Sequence, residues 1–245
     1  MGGGGTFPIV YGLVNNLNIG GVKLYNVPIY IREFHVPNAK DDYSPLLADG
    51  FLGLSVLTNF RLTLDYARRE LLLEHPSVPL LPDDPASAAS VVSFRTTNGG
   101  LVSAEVRLGG EATFNFLVDS GASTTVLSDT VIEKMNWQDK LLPDLRVRVL
   151  GAAGVIEEVE LMVVPSLTVH DLEQRNVRTP VLDMNAVNET AGFLQSGILG
   201  GSFLKHFRIT FDFPRFRVWL SPQTEAVRKI VPEGEPLVQD KQGED

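Results

Sequence analysis

The chain has 245 residues, 44% of them hydrophobic, which is long and apolar enough to bury a core without metal or disulfide staples. It has no cysteine, which excludes a disulfide framework, a thiolate metal site and a cysteine nucleophile. With 21 basic against 30 acidic residues, net charge −9, and no basic run, it lacks the cationic footprint of a non-specific nucleic-acid binder. No apolar run approaches the roughly 20 residues of a helical membrane span.

In chain order, the start Met-Gly-Gly-Gly-Gly-Thr has neither the basic region nor the apolar core of a secretory signal, and the compartment stays unread. Leu17-Asn18-Ile19, followed by Asn26-Val27-Pro28-Ile29, then introduces a pattern that returns later. It is echoed by Leu167-Thr168-Val169, Asn176-Val177 and Pro180-Val181, with a few residues inserted. Residues 49–73 (DGFLGLSVLTNFRLTLDYARRELLL) align without a gap with 196–220 (SGILGGSFLKHFRITFDFPRFRVWL) at an offset of 147, with 11 of 25 positions identical. The matches include Gly50/Gly197, Gly53/Gly200, Arg61/Arg208 and Asp65/Asp212. Coincident strand composition would not match glycines, an arginine and an aspartate in one register, so the chain carries an internal duplication.

Residues 75–90, rich in proline and small side chains, read as a linker. Beyond it, 91–95 and 101–108 flank Asn98-Gly99-Gly100, a hairpin signal, and 112–118 follow Gly109-Gly110 as a third strand. A helix is expected from about Ser128 or Asp129, with Val131, Ile132 and Met135 at helical spacing. Residues 147–150 and 155–161 flank Gly151-Ala152-Ala153-Gly154 as another hairpin. Almost everything else is short strand, which predicts an all-β lobe with one or two helical turns. The organisation expected is a partial first lobe at 1–74, the linker, a complete lobe at 91–221, and a disordered acidic tail at 222–245.

One constellation carries chemistry. The apolar strand 114–118 runs into Asp119-Ser120-Gly121-Ala122-Ser123, and a carboxylate at the end of a buried strand is costly unless its oxygens are hydrogen-bonded. About 75 residues later comes Gly197-Ile198-Leu199-Gly200, fit to thread close beneath that loop. The pair resembles the retropepsin-like and pepsin-like aspartic protease superfamily. Its signature is two hydrophobic residues, Asp-Thr/Ser-Gly and small or hydroxylated residues, answered by a hydrophobic-hydrophobic-Gly segment, here Ile198-Leu199-Gly200.

The resemblance implies an acid-protease barrel in which Asp119 is a catalytic aspartate. Ser120 supplies the hydroxyl that buttresses paired loops, and Gly121 lets the loops approach. Ala122 and Ser123 complete the loop, and the hairpin at Gly151, Ala152, Ala153 and Gly154 is the flap over a peptide or protein substrate. No cofactor is implied. The family chemistry needs two aspartates sharing one proton, and this chain carries one Asp-Ser/Thr-Gly motif. Subtracting the repeat offset from Asp119 places its counterpart before Met1, so the chain reads as one complete lobe plus the C-terminal half of a duplicated lobe. The second carboxylate is expected from an N-terminal half-lobe or from the other subunit of a homodimer. The alternative from another class is a non-catalytic peptide-binding or structural relic.

Other aspartates substitute poorly. Asp49 has Ser196 as its repeat partner, Asp65 and Asp212 match each other after the glycine motif, and Asp83-Asp84 sit in the linker. The histidines 35, 75, 170 and 206 are scattered with no metal-binding spacing, and neither a Gly-x-Ser-x-Gly elbow nor a phosphate loop occurs. Asn188-Glu189-Thr190 is a glycosylation sequon by pattern only.

Overall fold

A computed structural model describes residues 8–31, 50–79, 90–97, 100–151 and 154–223. The glycine-rich start, Asp49, Asp83-Asp84, most of the linker, Ala152-Ala153 and the tail from residue 224 lie outside the described residues.

The complete lobe is built as its alternation dictates. Strands β5 (Ser90–Thr96), β6 (Val102–Leu108) and β7 (Ala112–Val118) pair antiparallel in succession. Along β6, Val106 and Leu108 are buried while Glu105 and Arg107 face solvent, and on β7 Phe114 and Phe116 are buried, the period-two pattern of a half-buried sheet. Next come the short strand β8 (Val126–Ser128) and the helix α2 (Asp129–Met135), which buries Val131 and Ile132. The helix starts where expected, but the Ser128 side chain does not cap it; its hydroxyl bonds instead to the Asp129 and Thr130 side chains.

The expected second hairpin is longer than its sequence signal. It joins β9 (Leu141–Gly151) to β10 (Gly154–Val169), and a register irregularity between Ile156 and Val159, with Glu158 at φ 55°, lets β10 bend. After β11 (Leu172–Leu182), the helix α3 (Asn185–Ala191) was not expected, because its Asn- and Thr-containing seven residues show no helical apolar period. The side-chain oxygen of Asn188 accepts the Gln195 N–H at 2.6 Å, so the sequon asparagine ties down the approach to β12 (Gly197–Leu199). Then follow the helix α4 (Gly201–Leu204), β13 (Phe207–Asp212) and β14 (Arg217–Pro222).

Strand neighbours run β6-β7-β12-β8-β11-β10, and β10 returns to β6 through Leu167↔Leu108. The sheet thus closes on itself, around Phe116, Leu108, Leu127, Met162, Leu167 and Leu199, and closure removes two edges.

The first copy supplies the hairpin β1 (Val10–Ile19) and β2 (Val22–Ile31), helix α1 (Leu54–Leu57), and strands β3 (Arg61–Asp65) and β4 (Glu70–Glu74). Its backbone repeats the second copy in detail. Residues 54–57 and 201–204 are both one-turn helices capped by glycine, Gly53 and Gly200. Arg69 and Phe216, 147 residues apart, both have φ in the left-handed region. So do Gly20 and His170, and Asn26 and Asn176, each pair 150 apart. Val14↔Val27 and Val164↔Val177 pair in the same register, and Leu13↔Pro28 is answered by Val163↔Arg178, so Pro28 is equivalent to Arg178 and not to Pro180, and the hairpins match without the residues that the sequence suggested inserted before Pro180.

The copies meet around a local two-fold axis. Strand β3 pairs antiparallel with β13 so that Arg61 faces Asp212, Asp65 faces Arg208, and Thr63 faces its own counterpart, Thr210. Their hydroxyls bond at 2.9 Å in a buried position on that axis. Asp65 and Asp212 are structural: each accepts the backbone N–H three residues on, from Arg68 and Arg215.

Candidate active site

Strand β7 ends at Val118 and delivers Asp119 to the surface, where the residue is exposed. The strand is held because β12 lies parallel beside it, pairing Gly197↔Phe116, Ile198↔Leu117 and Leu199↔Val118, while β8 flanks β12 antiparallel on the other side. Three strands therefore converge on one loop. The Asp119 N–H donates to the Leu199 carbonyl at 3.1 Å, fixing the main chain. The Asp119 Oδ1 accepts the Gly121 N–H at 2.8 Å, fixing the carboxylate. The Ala122 N–H closes the turn on the Asp119 carbonyl at 3.3 Å, and the Ala122 carbonyl accepts the Gly201 N–H at 2.7 Å.

Gly200 passes so close that a Cβ there would collide with the Thr124 carbonyl and come within 3.1 Å of the Ala122 carbonyl oxygen. A Cβ on Gly197 would collide with Phe116 and the Val126 carbonyl. These contacts give the two motifs their residue types: the second segment threads beneath the first only if it carries no side chain there.

The structure thus brings Asp119, Gly121, Ala122, Ile198, Leu199 and Gly200 into one bonded unit. Ser120 and Ser123 are exposed on the loop. Gly151 and Gly154 face each other across the β9–β10 hairpin, away from this unit in the strand order; the tip at Ala152-Ala153 lies outside the described residues.

Two hydroxyls that sequence reasoning missed lock the unit. Thr125, fully buried, accepts from the Gly200 N–H at 3.2 Å and from the Ser202 hydroxyl at 3.1 Å. The Ser202 oxygen in turn accepts the Thr125 N–H at 2.9 Å. The available signal was Ser202 two residues after Gly200, but nothing in one sequence says that it meets a threonine 77 positions away.

Tyr66, in the turn between β3 and β4, also reaches this region. Its hydroxyl is buried with no hydrogen-bond partner among the described residues. Burial first, and the negative charge of Asp119 second, push its pKa above the ordinary tyrosine value.

Residues 104–203 match the aspartyl protease family, a span that holds both the Asp119 loop and Ile198-Leu199-Gly200. Over this segment the chain is similar to an aspartyl protease domain. Its closed all-β barrel is the architecture expected of such a domain. Solved structures give similar matches. A retropepsin-like aspartic protease from Rickettsia conorii is 19% identical over 53% of this chain and 88% of that one, with a TM-score of 0.39. Basic 7S globulin from soybean is 13% identical over 69% of this chain and 52% of that one, TM-score 0.36. Conglutin gamma, a basic 7S globulin from lupine seeds, is 14% identical over 85% of this chain and 65% of that one, TM-score 0.44. The matched part of this chain thus spans about half to two thirds of the two seed globulins. No curated protein sequence matches the chain significantly.

Proposed function

We propose that Asp119 is one carboxylate of a two-aspartate endopeptidase centre. The observation that carries the reading is its pose: a fixed main chain, one carboxylate oxygen held by the Gly121 N–H, and the residue open to solvent. In the reaction, an ionised carboxylate takes a proton from water as the water oxygen attacks the peptide carbonyl carbon, and the protonated partner gives its proton to the carbonyl oxygen. Collapse of the tetrahedral species breaks the C–N bond, with a proton delivered to the leaving nitrogen. A lone carboxylate cannot be both acid and base, so Asp119 works with the aspartate of a second, equivalent loop. The flap role belongs to the β9–β10 hairpin in this reading.

The test is Asp119→Asn, nearly isosteric but without charge or transferable proton. In species that contain two Asp-Ser-Gly loops, hydrolysis of a peptide library is expected to fall by at least about 100-fold, with an unchanged melting transition. Unaltered turnover in the variant would overturn the assignment.

A further inference from the structure

The duplication fills each repeated position twice, and at one position the two copies differ by a single hydroxyl. Tyr66, the residue after β3, corresponds at the offset of 147 to Phe213, the residue after β13. Phe213 is buried, stacked on Phe211 with ring centroids 5.7 Å apart and edge-on to Phe94 at 5.9 Å. A bare ring therefore satisfies the packing of this position in the second copy. The Tyr66 ring also packs against the core, but its hydroxyl is sealed from solvent without a partner among the described residues. An unpaired buried hydroxyl opposes folding, and Phe213 shows that the position can do without one.

The surroundings of this hydroxyl lead to the Asp119 loop. The β3–β13 ladder ends at Asp65↔Arg208, so Tyr66 follows it towards Phe207, the first residue of β13. The Gln223 amide clasps the same corner, donating to Asp65 Oδ1 and to the Phe207 carbonyl, each at 3.2 Å. Phe207 packs on Phe203 of α4 with ring centroids 5.1 Å apart, and Gly201, which opens α4, donates its N–H to the Ala122 carbonyl. The charge of Asp119 reaches the phenol and, with burial, disfavours its ionisation. The corner's other charged or titratable groups are Asp65, Arg68, Glu70, Lys205, His206 and Arg208. Asp65 Oδ2 lies 4.0 Å from Arg68 Nε and 3.9 Å from Arg208 Nε.

The Asp119 carboxylate has room for a second donor. Among the described residues it accepts one hydrogen bond, from the Gly121 N–H to Oδ1, and Ala122 brings no side-chain donor. We propose that Tyr66 is a positioning residue of the Asp119 centre, its hydroxyl donating to Oδ2 of Asp119 in the working site. A neutral phenol suits the task, because it binds a carboxylate without adding charge. One oxygen would then be held from the second copy and the other from the first, which fixes the plane of the carboxylate. The inference deepens the peptidase reading and rests on it for the effect on turnover, but not for the contact.

The test is Tyr66→Phe, which keeps the ring and copies the residue of the second repeat. In species with two Asp-Ser-Gly loops, the variant should melt no lower than the parent and yet lose about tenfold or more in kcat and kcat/KM together. Turnover equal to the parent's would overturn the inference, since packing alone would then account for the side chain; a change confined to KM would do the same. A second measurement does not depend on the folding of that variant. In the chain with Tyr66 intact, ultraviolet titration should show the Tyr66 phenolate forming at lower pH in Asp119→Asn than in the parent, and no movement would also overturn the contact. Such movement in a chain without peptide turnover in any species would support the contact and sink the peptidase reading alone.

Discussion

At the scale of single residues, the site is a bonded loop whose strength comes from short contacts that the two motifs only partly announce. Asp119 needs one backbone donor for its carboxylate and one acceptor for its own N–H; Gly121 of the same loop supplies the first and Leu199 of β12 the second. Thr125→Val would strand the Gly200 N–H and remove the partner of the Ser202 hydroxyl. Leaving buried polar groups unpaired costs about 1–3 kcal/mol, so urea unfolding should show a lowered midpoint and an unchanged slope. Tyr66 gives a pH-dependent readout of the same site. Its folded pKa is raised, by burial first and Asp119 second. Its neutral phenol therefore contributes stability that is intact below about pH 10, the unfolded tyrosine value. That contribution is lost as pH rises through the folded pKa, because the unfolded chain gives up the proton first. Of the five tyrosines, Tyr66 should contribute a late phenolate signal that Tyr66→Phe removes and Asp119→Asn shifts to lower pH. A titration indifferent to Asp119→Asn would uncouple the two groups.

At the scale of elements, what was legible in the sequence is what depends on local pattern or on self-comparison. The alternation at β5 to β7 and the turn glycines at 109 and 110 needed no partner to be read. The repeat itself announced Gly53/Gly200 and Asp65/Asp212: both glycines precede one-turn helices and both aspartates accept the backbone N–H three residues on, but only Gly200 is pressed against a neighbouring carbonyl. What escaped depended on tertiary pairing: the extra length of β9 and β10, the helix α3, and the Thr125–Ser202 latch that joins a loop to a helix start. The Thr63–Thr210 contact lay hidden in plain view, since both threonines are in the alignment but only the antiparallel register makes them neighbours. It yields a double-mutant cycle. Thr63→Val or Thr210→Val alone leaves one buried hydroxyl unpaired and should cost about 1–3 kcal/mol, whereas the double variant should be nearly neutral. Additive losses would show that the hydroxyls do not act as a pair. Gly200→Ala forces backbone away from the Thr124 carbonyl and should destabilise by about 1–3 kcal/mol or more.

At the scale of the whole molecule, a closed all-β lobe stands beside a copy of which the described residues form only part. The barrel of the second copy closes through Leu167↔Leu108; the first copy's equivalent hairpin pairs with no further strand among the described residues. Chemistry and architecture point the same way. The chain holds one Asp-Ser-Gly loop where general acid/base hydrolysis needs two carboxylates, and one covered set of strands where the duplication provides for two. Peptide turnover measured on species separated by sedimentation tests this most directly. The monomer is expected to show little or none, and activity to appear only in species containing two Asp-Ser-Gly loops. Robust turnover by the isolated monomer, lost in Asp119→Asn, would contradict the two-loop requirement.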